Sequence, residues 1–196
     1  MDERLLQADT IIFDVGNVLL RFDPERVVLL LPEEHRAALK AALFGPALRW
    51  SEFDLGRKTN GEIAEEAALA AGVPGGGALV LELLRRFHET MEPLPLYLTI
   101  PELKQRGKRV YLLTNYAEPS FSLTREAFPE LKKADGEVVS SREKASKPDP
   151  EIYRRLLRRY PIEPSRSLYI DDAEANIRAG ERFGFRVWHY VPPQCQ

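Results

Sequence analysis

The sequence is poor in cysteine and contains no long apolar run. Among its 196 residues the one cysteine is Cys195, next to the C-terminus. This excludes an internal disulfide and a cysteine-based metal site. No apolar stretch approaches the ~20 residues that span a bilayer, and the charged first residues lack the apolar core of a signal peptide. We therefore expect a cytoplasmic protein without a membrane partner.

An excess of charge of either sign is also absent. Lysine and arginine number 28 and aspartate and glutamate 30, so the formal net charge is -2. A nucleic-acid-binding protein usually shows a basic excess, so we expect no nucleic-acid partner. The apolar fraction of 44% is ordinary for a globular protein, and the length suffices for one core with a small accessory domain. The sequence gives no indication of oligomeric state.

Short apolar runs alternate with helical patterns in the second half of the chain. The runs that predict strands are 10–13, 109–113, 137–139, 168–170 and 185–191. Their nearly continuous apolar character is typical of parallel strands buried on both faces. Helical patterns separate them at 97–106, 118–128, 150–157 and 173–183. This alternation predicts an α/β fold, with a three-layer, Rossmann-like and largely parallel sheet.

The stretch 22–92 breaks that alternation and contains no convincing strand. Its helical patterns cover 24–31, 33–44, 46–53, 59–71 and 78–90. Pro74 and the glycines 75–77 indicate a flexible turn. We therefore expect an α/β core domain formed by 1–21 and 93–196, and an inserted helical domain at 22–92. An insertion at this point would lie above the carboxyl ends of the strands, where ligands bind in open α/β sheets.

Asp14 ends the first apolar run, and Gly16 follows two residues later. A carboxylate at the tip of a buried strand is partly desolvated and faces a ligand. Such a group serves as a nucleophile or as a ligand for a hard metal ion. The alternative is that Asp14 only caps the following turn, which is a common use of aspartate. The strand alone leaves both interpretations open.

Polar residues follow three later elements as well. Thr114 and Asn115 end the second strand. Their hydroxyl and amide groups could bind phosphate oxygens, or the two residues could simply form a turn. Lys147 precedes a predicted helix and has a proline on its C-terminal side. It could neutralise phosphoryl charge, although most lysines are solvated surface residues. Asp171 and Asp172 end another strand, and adjacent carboxylates are best explained by a bound cation.

The order of these groups along the chain resembles the four-motif signature of the haloacid-dehalogenase-like (HAD-like) hydrolase superfamily. The resemblance covers nearly the whole chain, because the helical stretch 22–92 corresponds to the family's cap domain. It implies that Asp14 attacks phosphorus and forms an aspartyl-phosphate. It further implies that Asp14, the main-chain carbonyl of Gly16 and Asp172 bind Mg²⁺.

The same resemblance assigns the phosphoryl oxygens to Thr114, Asn115 and Lys147. Asp14, Thr114 and Lys147 are then the catalytic residues. These parts suit phosphoryl transfer, which needs positioning and cations near the equatorial oxygens. Asp171 occupies a position at which many relatives have glycine, so its role stays open.

The chain departs from the usual phosphatase pattern at Gly16. Most phosphatases of the superfamily have an aspartate there, which protonates the leaving oxygen. General acid catalysis typically contributes about 10²–10⁴ in rate. Two explanations stay open: the leaving group is a good one, such as the anomeric oxygen of a sugar, or Asp23 or a cap residue supplies the proton. The run from Asp14 to Val18 resembles a branch that includes bacterial α-D-glucose-1-phosphate phosphatases. Dehalogenase activity is disfavoured, since those relatives work without Mg²⁺ and would not need the paired acids.

These observations predict a Mg²⁺-dependent phosphatase that acts on a small phosphorylated metabolite, most simply a sugar phosphate. The cap residues that could contact the substrate are Arg21, His35, Arg49, Trp50, His88 and those near Phe53. The main alternative is a catalytically reduced relative that binds a phosphorylated ligand or a protein, and Gly16 is the feature that favours it. Transfer to a second acceptor, as in a phosphomutase, is a third interpretation.

Overall fold

The structure, a computed structural model, describes residues 1–45 and 50–193. Arg49, Cys195 and the first four residues of the helix predicted at 46–53 therefore lie outside the described residues. Among the described helices, none is long and apolar enough to cross a membrane.

Within residues 1–45 and 50–193, seven strands form two sheets. The strands are β1 (Thr10–Phe13), β2 (Leu20–Arg21), β3 (Glu92–Pro93), β4 (Arg109–Thr114), β5 (Gly136–Val139), β6 (Ser167–Asp171) and β7 (Arg186–His189). The main sheet has the order β5-β4-β1-β6-β7, and all of its pairs are parallel. The predicted parallel α/β fold is confirmed. Because β1 lies at the centre, its carboxyl end is flanked by those of β4 and β6.

The helices begin and end where the local sequence favours it. They are α1 (Glu3–Gln7), α2 (Pro24–Val27), α3 (Glu33–Phe44), α4 (Trp50–Asp54), α5 (Asn60–Ala71), α6 (Gly76–Arg86), α7 (Ile100–Gln105), α8 (Ser120–Ala127), α9 (Ser140–Glu143), α10 (Pro150–Arg159) and α11 (Glu174–Arg182). Short 3₁₀ segments follow α2 and α6 and precede α7. Asp149 caps α10 by accepting from the Glu151 N–H, with proline at the first helical position. Thr59 and Glu62 form a reciprocal capping box at the start of α5.

Alternate residues of each central strand enter opposite apolar layers. Ile11 and Phe13 of β1 pack in a cluster with Leu103 of α7, whereas Ile12 packs in another cluster with Leu156 of α10. Side chains of a strand alternate between faces, so each face buries its own set. The sheet is thus covered by helices on both sides, as the three-layer prediction requires.

The helical stretch between β2 and β3 has an apolar cluster of its own. Leu39, Ile63 and Val80 of α3, α5 and α6 are fully buried in it. Ala117, three residues beyond β4, belongs to the same cluster. Since Ala117 follows the carboxyl end of a core strand, the helical layer lies over that edge of the sheet.

Several local predictions are corrected by the structure. Glu92 and Pro93 pair antiparallel with β2, although no strand was expected in 22–92, because a two-residue strand carries too little pattern to recognise. Gly76 and Gly77 are the first residues of α6 and not part of a flexible turn. A Cβ on Gly76 would lie 2.9 Å from Val73 Cγ1 and 3.3 Å from Ala68 Cβ, so a larger residue there would crowd the start of α6 against the end of α5. The last strand ends at His189 and not at 191.

Candidate active site

Asp14 lies directly beyond the carboxyl end of β1. Its N–H donates to the carbonyl of Ile170 on β6 at 2.9 Å, which continues the strand ladder by one residue and fixes the main chain there. The residue is only 8% exposed. Its Oδ1 accepts from the Val15 N–H at 2.7 Å. The sheet thus holds this carboxylate at the edge of the core with little freedom to move.

Lys147 reaches the same point from the loop before α10. Its side chain is 1% exposed, and its Nζ lies 2.9 Å from Asp14 Oδ1 and 2.7 Å from Asp171 Oδ2. Burial lowers the pKa of this amine, but the two carboxylates outweigh that effect and raise it overall. Asn115 holds the lysine main chain, because its Oδ1 accepts from the Lys147 N–H at 2.8 Å and its Nδ2 donates to the Lys147 carbonyl at 2.9 Å.

Asp171 is fully buried and accepts hydrogen bonds on both oxygens. Its Oδ1 accepts from the Ala173 N–H and from Asn176 Nδ2, each at 2.9 Å. Its Oδ2 accepts from Lys147 Nζ and from the Tyr169 hydroxyl. A carboxylate has about four lone-pair sites, so these donors occupy them. Burial raises the pKa of Asp171, yet Lys147 and these hydrogen bonds leave it lowered overall.

Asp172 differs from its neighbour. It is only partly buried, and Asn17 is the side chain that hydrogen-bonds to it. Burial and the charge of Asp171 raise its pKa. Asp172 therefore retains acceptor capacity that Asp171 has used, and burial together with a like charge disfavours its ionised form in the absence of a cation.

The three aspartates form a group that suits a divalent cation. Asp14, Asp171 and Asp172 each offer one oxygen, and these atoms lie within 4.8 Å of one another. Burial raises the pKa of Asp14 to about 7, opposed by Lys147 and reinforced by Asp171. One ammonium cannot balance three carboxylates, and carboxylate oxygens are the ligands that Mg²⁺ prefers. Asp14 and Asp172 keep acceptor positions for such an ion, and the nearby charge of Asp171 favours it further.

Thr114 ends β4 and is 1% exposed. Its Oγ1 is buried and has no hydrogen-bond partner within the described residues. Leaving a buried hydroxyl unpaired costs about 1–3 kcal/mol, so most such groups in proteins have a partner. An oxygen of a bound ligand would supply that partner.

A pocket of about 310 Å³ opens over these groups. Its lining comprises Asp14, Gly16, Asn17, Phe22, Phe44, Trp50, Phe53, Asp54, Leu84, Phe87, Met91, Asn115, Tyr116, Ala117, Ser120 and Asp172. The walls thus come from the helical layer and from the ends of the core strands. Asp54, the last residue of α4, is the one carboxylate that the helical layer contributes to this lining. Burial raises its pKa to about 6, with Lys147 acting in the opposite direction.

Only some of the cap residues that were predicted to contact the substrate line the pocket. Trp50 and Phe53 line the pocket, together with Asp54 beside them. Arg21 instead donates to the Pro193 carbonyl at 2.6 Å, and Asp23 caps α2 through the Glu25 N–H.

His35 and His88 do not line the pocket either. The pocket residues that the sequence analysis missed are chiefly Phe22, Phe44 and Phe87. Their one sequence signal was the presence of large aromatic residues in a predicted cap.

Comparisons with known proteins agree with this architecture. The family model for haloacid dehalogenase-like hydrolases matches residues 8–184. The sesquiterpene phosphatase astK of Aspergillus oryzae is 25% identical over 182 residues, which cover 91% of this chain and 87% of that protein.

Solved structures of the same fold include a HAD family enzyme from Bacteroides thetaiotaomicron in complex with magnesium and inorganic phosphate. It has a TM-score of 0.76 and 19% identity, with 96% of both chains covered. The L-2-haloacid dehalogenase of Xanthobacter autotrophicus with chloropropionic acid covalently bound has a TM-score of 0.66 and 17% identity, covering 92% of this chain and 76% of that one. From the family match over most of its length, we conclude that this chain belongs to the haloacid dehalogenase-like hydrolase family and is an enzyme of that family.

Proposed function

We propose that the protein is a Mg²⁺-dependent phosphatase that cleaves a phosphomonoester through an aspartyl-phosphate on Asp14. The observation that carries the proposal is the buried ammonium of Lys147 between Asp14 and Asp171, next to a third carboxylate. This arrangement supports the binding of a divalent cation and a phosphoryl group at the same place. We further propose that 22–92 acts as the cap domain over a core formed by 1–21 and 93–196.

Asp14, Asp172 and the main-chain carbonyl of Gly16 would hold the Mg²⁺. The bound ion would supply positive charge to the phosphoryl oxygens and to the surrounding carboxylates. Asp171 has a different role, because its lone pairs are already occupied. It fixes the position of Lys147. The magnesium and phosphate bound to the Bacteroides thetaiotaomicron enzyme support this assignment by analogy of fold.

The first half of the reaction transfers the phosphoryl group to the protein. A carboxylate oxygen of Asp14 forms a bond to phosphorus, and the bond from phosphorus to the substrate oxygen breaks. Lys147 and the unpaired hydroxyl of Thr114 hold the phosphoryl oxygens during this step. Asn115 contributes by fixing the main chain of Lys147 through both ends of its amide.

We propose Asp54 as the acid that replaces the aspartate missing at Gly16. Asp54 lines the pocket with Asp14, and no partner for its carboxyl group is present within the described residues. As the phosphorus–oxygen bond breaks, its carboxyl group gives its proton to the leaving oxygen, which departs as an alcohol. The resulting carboxylate then takes a proton from the attacking water. That water oxygen bonds to phosphorus and releases inorganic phosphate and free Asp14.

The function is tested by phosphate release from a panel of phosphomonoesters with Mg²⁺ and with EDTA. We expect turnover only with Mg²⁺, and none for Asp14→Asn. Asp9→Asn is the matched control, since this aspartate is partly exposed and pairs with Arg166 at the other end of the strand. If the folded protein binds Mg²⁺ but turns over no member of the panel, the chain is instead a catalytically reduced relative that binds a phosphorylated ligand.

The role of Asp54 has its own test. Asp54→Asn should lower the rate of hydrolysis of alkyl phosphates by a factor of about 10²–10⁴. The rate with p-nitrophenyl phosphate should fall much less, because its leaving group needs little protonation. Gly16→Asp in the same protein should restore activity, since a Cβ at Gly16 meets nothing within 4 Å. If activity falls equally with alkyl phosphates and with p-nitrophenyl phosphate, and Gly16→Asp does not restore it, Asp54 contributes to binding only.

The panel also decides between substrate classes. The resemblance to α-D-glucose-1-phosphate phosphatases supports a sugar phosphate, and this stays a prediction. The similarity to astK, named as a sesquiterpene phosphatase, supports a terpenyl phosphate. Both classes belong in the panel beside p-nitrophenyl phosphate.

A further inference from the structure

We infer that the organic part of the substrate is apolar, a phosphorylated hydrocarbon-like alcohol, and that it occupies the pocket next to Asp14. The inference rests on the proposed phosphatase function and specifies its substrate class. It is carried by the aromatic lining of the pocket and by the pairing of the polar groups within it.

A continuous belt of aromatic rings lines the pocket. Its members in spatial order are Phe53, Trp50, Phe44, Phe22, Phe87 and Tyr116. Successive ring centroids lie 5.3, 5.9, 5.8, 5.5 and 6.3 Å apart. Leu84 and Met91 fill the lining beside the belt. The surface offered to a ligand away from Asp14 is therefore mostly carbon and sulfur.

The polar tips of these aromatic residues are already used. Trp50 Nε1 donates to the Leu43 carbonyl. The Tyr116 hydroxyl lies 3.0 Å from Thr124 Oγ1 and donates to Met91 Sδ at 3.3 Å. Buried tyrosine and tryptophan tips usually find a hydrogen-bond partner, and here both partners belong to the protein, so neither tip is left for the hydroxyl groups of a ligand.

The remaining polar side chains of the lining are paired as well. Asn17 accepts from the Phe22 N–H at 3.0 Å, and Ser120 Oγ donates to the Leu84 carbonyl at 3.4 Å. Asn115 is held on both sides by Lys147. In the part of the chain that the structure describes, the polar side chain of the lining that is left without a hydrogen-bond partner is that of Asp54, the residue proposed above as the general acid.

The pocket should bind a sugar much more weakly than a hydrocarbon chain. The several hydroxyl groups of a sugar would lose water and find few partners, which strongly disfavours binding. Burial of each methylene group of an alkyl chain would instead raise kcat/KM about three- to fivefold. The volume of about 310 Å³ equals that of about ten molecules of liquid water, which suits a medium-length chain.

The test measures kcat/KM for a series of straight-chain alkyl phosphates from methyl to decyl, with geranyl phosphate and α-D-glucose 1-phosphate. We expect a rise with each added methylene group, followed by a plateau once the pocket is full, and little activity with the glucose ester. Turnover of p-nitrophenyl phosphate combined with a flat series, or with a preference for the glucose ester, would refute the inference while leaving the phosphatase function intact. Failure of every substrate would refute the function itself.

A pair of variants locates the effect in the pocket. Phe44→Ser should lower the ratio of kcat/KM for octyl over methyl phosphate by tenfold or more. Phe128→Ser is the matched control, because Phe128 is also a partly buried aromatic residue but packs on Tyr97 away from the pocket. A general loss of stability would leave this ratio unchanged in both variants. An unchanged ratio in folded Phe44→Ser would place the alkyl chain elsewhere.

Discussion

Lys147→Met removes a buried positive charge while keeping a side chain of similar length. In the wild type the ammonium contacts Asp14 and Asp171 within 2.9 Å, and its side chain is 1% exposed. The variant would leave both carboxylates without this partner. Asp14 would retain the Val15 N–H, and Asp171 would retain its other three donors.

The expected loss follows from the cost of breaking a buried ion pair, about 3–5 kcal/mol. For a domain of this size each kcal/mol lowers Tm by about 2–4 °C, so Tm should fall by about 6–20 °C. The effect should be largest at pH 8. The pKa of Asp171 is lowered, so this carboxylate is ionised at both pH 8 and pH 5. Burial raises the pKa of Asp14 to about 7, so Asp14 is ionised at pH 8 and protonated at pH 5, and only at pH 8 does the substitution leave both carboxylates ionised without the ammonium.

The assay is thermal unfolding followed by circular dichroism, in EDTA, at pH 8 and at pH 5. Lys132→Met is the matched control, because this lysine forms an exposed pair with Glu126 and exposed pairs contribute little. A Tm for Lys147→Met that equals the wild type at pH 8 would refute the reasoning. It would mean that the carboxylates do not depend on the lysine for their stability in the fold.

Three further predictions concern proton transfer, metal binding and packing. Since burial raises the pKa of Asp54 to about 6, kcat for an alkyl phosphate should fall as the pH rises above about 6, and Asp54→Asn should lose this dependence. Mg²⁺ at a concentration of 100 Kd should raise the free energy of unfolding of the wild type by about 2.7 kcal/mol and thereby raise its Tm, and Asp172→Asn should abolish that rise. Gly180→Ala should lower Tm, because its Cβ would lie 2.5 Å from the ring of Tyr169 and overpacking costs about 1–3 kcal/mol. Gly61→Ala, in the open part of a helix, should not lower it.

The central strands were predictable because their pattern is local. The residues 10–13 are apolar and rich in β-branched side chains, and β1 occupies the same four positions. The ends of the strands also set the order of the polar groups along the chain. Parallel pairing of Phe13 with Ile170 then places Asp14 beside Asp171, which is a consequence of the fold class and not of any single motif.

The cap side of the site was much harder to predict. Asp54 is separated from Asp14 by forty positions and by several helices, and no periodic pattern relates them. Its place in the pocket depends on packing between helices and on the Ser140 hydroxyl, which donates to the Asp54 carbonyl at 2.5 Å. The pairing of Trp50 Nε1 is likewise a tertiary detail. Sequence patterns report which face of a helix is apolar, but not which polar tips point into a cavity.

The small antiparallel ribbon has a consequence for how this protein can change. Leu20 pairs with Pro93 and Arg21 with Glu92, so the chain leaves the core and returns to it at adjacent points. A two-residue hairpin turn could join such neighbours directly. Replacing the chain between β2 and β3 by that turn would halve the length of the connection about five times. Since each halving recovers about 0.6 kcal/mol of loop-closure entropy, the total is about 3 kcal/mol. The whole segment between β2 and β3 could therefore be exchanged for another, by evolution or by design, while the sheet keeps its strand order.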